Sequence, residues 1–530
     1  MKAIASAALV AAAALAGPVM AHAQSGSAQA CAALKGLASS DLRIDTAEIA
    51  AAGPFKMAFG PPGGAAIALP EHCLVRGVLA PRTGVGGQRF GIGFEIRLPT
   101  SWNGRFLFQG GGGLDGMVQP AIGMAGPDQP TALGRGFAVV TTDAGHEGAD
   151  ASFAADQQAR LDYAYQALGK VTLEAKAIIA SFYGRPARWS YFMGCSNGGR
   201  QGMMAAERYP LEFDGIVAGD PGFRLSRAAI GELWDSAQLS RIAPKDAQGR
   251  PIISQAFTDE DLKLVSAGVL KQCDGLDGLQ DGMINDFKAC RFDPGVLQCK
   301  GGAASSCLAA TKVDALRRIF GGAHDSRGQP IYAGWPYDAG VSGRDWRNWK
   351  MGSSPTAQGV NQTMGLDALR RYFATPADPA ISPESFDFDR AAAITAETGA
   401  INDPTSTFLT SFVQHGGRLL IYQGLSDPVF SAKDIVSWYD QLSTDAGPPQ
   451  QWARLFLVPG MNHCQGGPAT DRFDALSAVQ AWVEEGRSPE RLVATGASFP
   501  GQSRPLCPYP KLARYQGGDK ASADSFACSR

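Results

Sequence analysis

Residues 189–200 read Trp-Ser-Tyr-Phe-Met-Gly-Cys-Ser-Asn-Gly-Gly-Arg, an aromatic run that passes into small residues and then into a helical stretch ending before Pro210. Gly194-x-Ser196-x-Gly198 between a strand and a helix is the pattern of a sharp turn that lifts a serine hydroxyl above the edge of a sheet. Only small neighbours fit so crowded a backbone. The unit requires a buried strand with a helix folded back over it, and it therefore asks for a sheet covered by helices.

Other short runs of strand-forming residues, each followed by a glycine or a turn, occur at 105–109, 137–142, 215–218, 419–422 and 454–458. Helical stretches at 162–182 and 471–485 fall between or after them. This alternation predicts an α/β fold with a mostly parallel, doubly wound sheet. The rhythm stops at 223–415, a segment rich in Gly, Pro, Asp and Trp that holds four of the ten cysteines. It reads as an inserted lid domain, splitting the core into 24–222 and 416–530.

The chain has 530 residues, 45% hydrophobic and 18% charged, which is a globular composition. With 48 Lys+Arg against 50 Asp+Glu, the net charge of −2 offers no electrostatic footprint for nucleic acid. Lys2, the apolar stretch 3–16 and the small-x-small site Ala21-His22-Ala23 form a secretory signal over 1–23. No later run reaches the ~18 apolar residues of a membrane span. The expected destination is the periplasm or the medium, where disulfides persist.

A serine hydroxyl needs a base, and α/β-hydrolases supply the triad in the chain order Ser, acid, His. After Ser196 the chain holds three histidines, His324, His415 and His463. His463 follows the run 454–458, where a base loop is wanted, whereas His324 lies in the insertion and His415 precedes a strand. Asp427 follows the run 419–422 and is the matching acid. Oxyanion donors are expected from the backbone of Asn197 and from the Gly110–Gly113 loop after 105–109, with Gly112 and Gly113 as candidates.

Cys195 precedes the expected nucleophile and Cys464 follows the expected base. Proximity pairs the other eight as Cys31-Cys73, Cys273-Cys290, Cys299-Cys307 and Cys507-Cys528. Ten cysteines allow about 900 connectivities, and spacing does not choose among them. Between Cys273 and Cys290, Asp274, Asp277 and Asp281 alternate with glycines. Such a loop is either an oxygen cage for Ca²⁺, completed by the carbonyls of Leu279 and Met283, or a series of solvated Asx turns.

Together these residues resemble the tannase and feruloyl esterase family of α/β-hydrolases over most of the mature chain. The resemblance rests on Gly194-Cys-Ser-Asn-Gly-Gly-Arg-Gln201, Ser426-Asp427, Pro459-Gly-Met-Asn-His-Cys464 and Arg504-Pro-Leu-Cys-Pro-Tyr-Pro510. It implies a triad of Ser196, Asp427 and His463, a Cys195-Cys464 disulfide and a lid over the site. It also implies a structural calcium held by Asp274, Asp277, Asp281 and the carbonyls of Leu279 and Met283, with no organic cofactor. The implied substrates are esters of small aromatic acids of feruloyl or galloyl type, with a terephthalate monoester as the alternative. Phe430 is implied as an aromatic wall for the ring; Trp346 and Trp349 are further candidates, and each has ordinary lid core as its competing role. A calcium-stabilised binding protein that has lost catalysis is the reading from another class, but that requires a missing triad member, and all three candidates are present.

Overall fold

All six runs marked by the sequence become strands of one sheet. The protein is described from a computed structural model covering residues 26–57, 66–124, 126, 129–301, 306–445 and 447–530. The expected signal at 1–23 lies outside the described residues. The nine strands of the central sheet are β1 (Leu42–Ala50), β2 (His72–Thr83), β3 (Arg89–Pro99), β4 (Arg105–Gln109), β5 (Ala138–Thr142), β6 (Trp189–Cys195), β7 (Gly215–Gly219), β8 (Arg418–Gly424) and β9 (Ala453–Val458). Their spatial order is β1-β2-β3-β5-β4-β6-β7-β8-β9. The pairs from β5 to β9 are parallel, and β1, β2 and β3 are added antiparallel at one edge.

The parallel strands are buried on both faces, and successive side chains serve opposite layers. Phe106, Phe108, Ile216, Ala218, Leu419 and Ile421 point into one core, against the helices Ala167–Tyr183, Asn197–Arg208 and Ala432–Asp445. Leu107, Val217, Leu420, Tyr422 and Phe456 point into the other, against the helix Ala475–Glu485. The carboxyl ends of these strands all open toward the same edge of the sheet. Loops that carry chemistry in such folds sit there.

β7 and β8 are neighbours in the sheet, yet almost 200 residues lie between them in the chain. This inserted segment includes the helices Leu225–Ile242, Asp259–Cys273, Ala310–Gly321 and Arg344–Lys350, and it builds a core of its own. That core is continuous with Leu114, Phe153, Val429 and Phe430 from the sheet's carboxyl edge. After the last helix the chain forms two hairpins, Leu492–Thr495 with Ser503–Leu506 and Leu512–Tyr515 with Phe526–Ser529.

Arg200, fully buried, joins the two parts. Its guanidinium donates to Asn197 Oδ1 at 2.6 Å, to the carbonyls of Ala164 and Tyr163 at 2.7 and 3.1 Å, and to the carbonyl of Asn402 in the inserted segment at 3.1 Å. A fork of fixed donors suits this work better than an ammonium. Arg200→Met would leave those acceptors buried without a donor, so urea unfolding should report a loss of at least about 3 kcal/mol, with Arg200→Lys intermediate.

Candidate active site

The turn after β6 carries the strain that its sequence announces. Ser196 has φ 66° and ψ −124°, a conformation that L-residues rarely occupy outside constrained sites. Its amide donates to the carbonyl of Gly219 at 3.0 Å, and its carbonyl accepts from Arg200 and Gly222. A Cβ on Gly194 would stand 2.7 Å from the backbone of Gly198, and one on Gly198 would stand 2.6 Å from the carbonyl oxygen of Gly111. The two glycines are thus required by close backbone approach, which also brings the Gly110–Gly113 loop against the elbow.

Within that loop two amides are already engaged: Gly110 donates to Met193 O at 2.9 Å and Gly111 donates to Gln201 Oε1 at 3.0 Å. The carbonyl of Gly112 accepts from the Asp115 amide at 2.9 Å. Gly113, at φ 57°, borders the same cavity as Ser196 and Asn197, and its amide and that of Asn197 have no protein partner among the described residues. The Asn197 side chain is turned inward: its Nδ2 donates to Asp115 Oδ1 at 2.5 Å and its Oδ1 accepts from Arg200. Burial pushes the Asp115 carboxyl up to about 6, against the opposing effect of Gln201 and Asn197.

Asp427 lies in the turn after β8, and its Oδ2 accepts from His463 Nδ1 at 2.9 Å. Its Oδ1 accepts from the amides of Val429 and Phe430 at 2.7 and 3.1 Å, and Gln423 Nε2 adds a bond to Oδ2 at 3.0 Å. Burial alone would raise this carboxyl; the imidazole charge, the imidazole bond and the amides outweigh it and hold Asp427 below the usual carboxylate range. His463 Nε2 is buried and has no partner. Trp349 and Phe430 meet the imidazole edge-on, with centroids at 5.3 and 5.4 Å. The Cys195-Cys464 disulfide, Cα–Cα 6.0 Å, ties the residue before Ser196 to the residue after His463. The Cα atoms of Ser196 and His463 therefore stay within about 14 Å of each other whatever the loops do. The other four disulfides are Cys31-Cys73, Cys273-Cys290, Cys299-Cys307 and Cys507-Cys528.

The cavity beside Ser196 is walled by Leu114, Leu225, Trp349, Met364, Phe373 and Phe430. Trp349 and Phe430 are where an aromatic wall was expected, but Trp346 is not. It is 4% exposed and packs in the core of the inserted segment beneath Lys350, one helical turn away from the cavity. Lys350 itself is paired with Asp235 at 2.5 Å, both nearly inaccessible. Arg370 donates to the carbonyl of Ile381, and Arg371 pairs with Asp367. Glu232 also borders the cavity, and burial pushes its carboxyl up to about 8 against the pull of Lys350.

In the acidic loop, Asp274 accepts from the amides of Asp281 and Gly282, Asp277 from Leu279 N and Asn285 Nδ2, and Asp281 from Met283 N and the Arg504 guanidinium. The three carboxylates do not converge within 4.8 Å of one another. Burial pushes Asp277 up to about 6, and the charges of Asp281 and Asp274 add to the rise. The carbonyls of Leu279 and Met283, in residues 7% and 1% exposed, accept no hydrogen bond among the described residues.

Three carboxyls around the site have no counterpart in the sequence reading. Asp338 Oδ2 accepts from Ser426 Oγ and the Gly460 amide, both at 2.7 Å, and Asp345 Oδ2 accepts from the His463 amide at 3.3 Å. Both come from the inserted segment, where no rhythm marks them. Asp220, the first residue after β7, accepts from the Gly424 amide at 2.8 Å. Its place at the carboxyl end of a parallel strand was the available signal.

The family described as "Tannase and feruloyl esterase" matches residues 73–529. A mono(2-hydroxyethyl) terephthalate hydrolase of Piscinibacter sakaiensis is 42% identical over 522 residues, covering 88% of this chain and 86% of that protein. A probable feruloyl esterase of Arthroderma benhamiae is 30% identical over 470 residues, covering 82% of each. The crystal structure of feruloyl esterase B from Aspergillus oryzae superposes with a TM-score of 0.79 at 25% identity, covering 95% of this chain and 100% of that one. With its strand order, elbow and paired Asp427 and His463 alongside these likenesses, the chain belongs to the tannase and feruloyl esterase family of carboxylic ester hydrolases.

Proposed function

We propose that this protein is an exported serine esterase that cleaves esters of small aromatic acids through an acyl-enzyme. The observation that carries the reading is the bond from His463 Nδ1 to the Asp427 carboxylate. An ionised carboxylate only accepts, so Nδ1 bears the hydrogen and Nε2 is left as the basic nitrogen, buried and free. His463 then takes the proton of Ser196 as the hydroxyl attacks the ester carbonyl, and Asp427 stabilises the imidazolium that forms. The oxyanion rests on the amides of Asn197 and Gly113. His463 returns the proton to the leaving alcohol, and water cleaves the acyl-enzyme by the same route.

The apolar and aromatic cavity walls suit a flat acyl group. Among the described residues its lining includes no Lys or Arg to pair with a substrate carboxylate. This favours uncharged rings of the feruloyl or galloyl type, because an anion buried without a cation is strongly disfavoured. The terephthalate monoester reading is kept by the 42% identity to a hydrolase of that substrate.

In the acidic loop, the two partnerless carbonyls beside Asp274 and Asp277, whose carboxyls burial raises, support a hard cation. Asp274, Asp277 and Asp281 with the carbonyls of Leu279 and Met283 would hold Ca²⁺, which would supply cross-linking charge rather than chemistry. The five disulfides accord with an exported chain whose signal ends near residue 23.

Ser196→Ala should lower kcat on a simple phenolic ester by at least about 10³-fold and abolish labelling by a fluorophosphonate; full turnover in this variant would end the serine mechanism. Compared as kcat/KM, ethyl ferulate or ethyl gallate should exceed mono(2-hydroxyethyl) terephthalate by about tenfold or more, and the reverse order would establish the terephthalate reading. Chelation should lower the thermal midpoint more than the initial rate, since the loop stands apart from the reacting groups, and an unchanged midpoint would exclude a bound ion.

A further inference from the structure

Asp220 follows β7 directly, at φ 35°, and is completely buried. Gln423 Nε2 donates to Asp220 Oδ1 and to Asp427 Oδ2, both at 3.0 Å, so a single amide group holds the two carboxyls side by side. One oxygen of each and a ring nitrogen of His463 lie within 4.8 Å of one another. Two carboxyls held this close can bond to each other only if one of them carries a proton, because an ionised carboxylate has nothing to donate.

The remaining neighbours of Asp220 decide which one. Facing it are Tyr422 and the Gly424 amide from β8, Asp427 and Gln423, the amide of Cys464 with His463 from the base loop, and Cys195 Sγ at 3.8 Å. That sulfur is in a disulfide and has no hydrogen to give. Among the described residues no Lys or Arg joins this group, so two carboxylates would share one imidazole in a site without water-like screening. Asp427 is the better-kept anion because it accepts from two backbone amides, Gln423 and the imidazole. Burial and the Asp427 charge push Asp220 well above the ordinary range, in the same direction.

We infer that Asp220 is a positioning residue of the triad: as the neutral acid it donates a hydrogen bond to the Asp427 carboxylate, fixing the acid against His463 without adding a second negative charge. The inference rests on the serine-esterase reading above. It also accounts for a carboxyl at a left-handed backbone position, which Asp and Asn tolerate better than other side chains.

The test is the pH profile of kcat/KM for wild type, Asp220→Asn and Asp220→Gly on one phenolic ester. Asparagine reproduces a neutral donor, so its acid limb should stay within about 0.3 pH unit of wild type and its kcat within about threefold. Glycine relieves the backbone but removes the donor, and kcat should fall about tenfold or more with KM little changed. If Asp220 were ionised, removing its charge with asparagine would release His463 and move the acid limb down by about one pH unit or more, and that result overturns the inference. Equal losses in the two variants overturn it as well. Should the glycine variant not fold, the asparagine profile alone decides. A wild-type enzyme that turns over no ester and takes no fluorophosphonate label would instead bring down the esterase reading, and this inference with it.

Discussion

The Cys195-Cys464 bridge spans 269 residues and is the constraint on which the geometry of the site depends. Ser196, the proposed nucleophile, belongs to the first half of the core and Asp427 and His463, its proposed partners, to the second, with the inserted segment between them. β6 and β9 have two strands between them in the sheet, so packing brings their loops near each other, and the bridge limits the remaining freedom. In the chain-entropy view, closing a loop of that length removes roughly 5–6 kcal/mol of denatured-state freedom. The bridge thereby bounds how far Ser196 and His463 can separate, and packing sets the distance and angles within that bound.

Around that bridge the structure is held by buried polar contacts rather than by oil alone. Arg200 clasps carbonyls of core and insertion together, Lys350 is locked on Asp235, and Asp338 gathers a hydroxyl and an amide from the acid and base loops. Such groups add little net stability compared with apolar replacements, but each is strongly disfavoured in any other arrangement. Their presence at every junction explains how a long insertion keeps one seating on the sheet.

The parallel strands and the pairing of Asp427 with His463 were legible because both follow simple rules. Strands buried on two faces read as unbroken apolar runs, and functional loops follow their carboxyl ends. β1, β2 and β3 escaped notice because their apolar pattern is broken from within: Glu95 and Arg97 are buried as an ion pair, and β2 and β3 contain glycines. Trp346 and Trp349 could not be told apart in sequence. They share one side of a two-turn helix, and only its far end reaches the cavity. Asp338 and Asp345 act across the fold from a segment whose spacing carries no signal.

Asp338 and Asp345 also bear on how anything enters. The stretch that holds them is bonded to the loops of both the acid and the base, and on the opposite side Arg160 holds the carbonyls of Arg371 and Tyr372 while Asp367 accepts from the Ala151 amide. The inserted segment is stitched down along both margins. Rigid-body opening would break bonds on each side at once, those of Asp338 buried, whereas Met364, an unbranched thioether at the cavity wall, takes part in none of them.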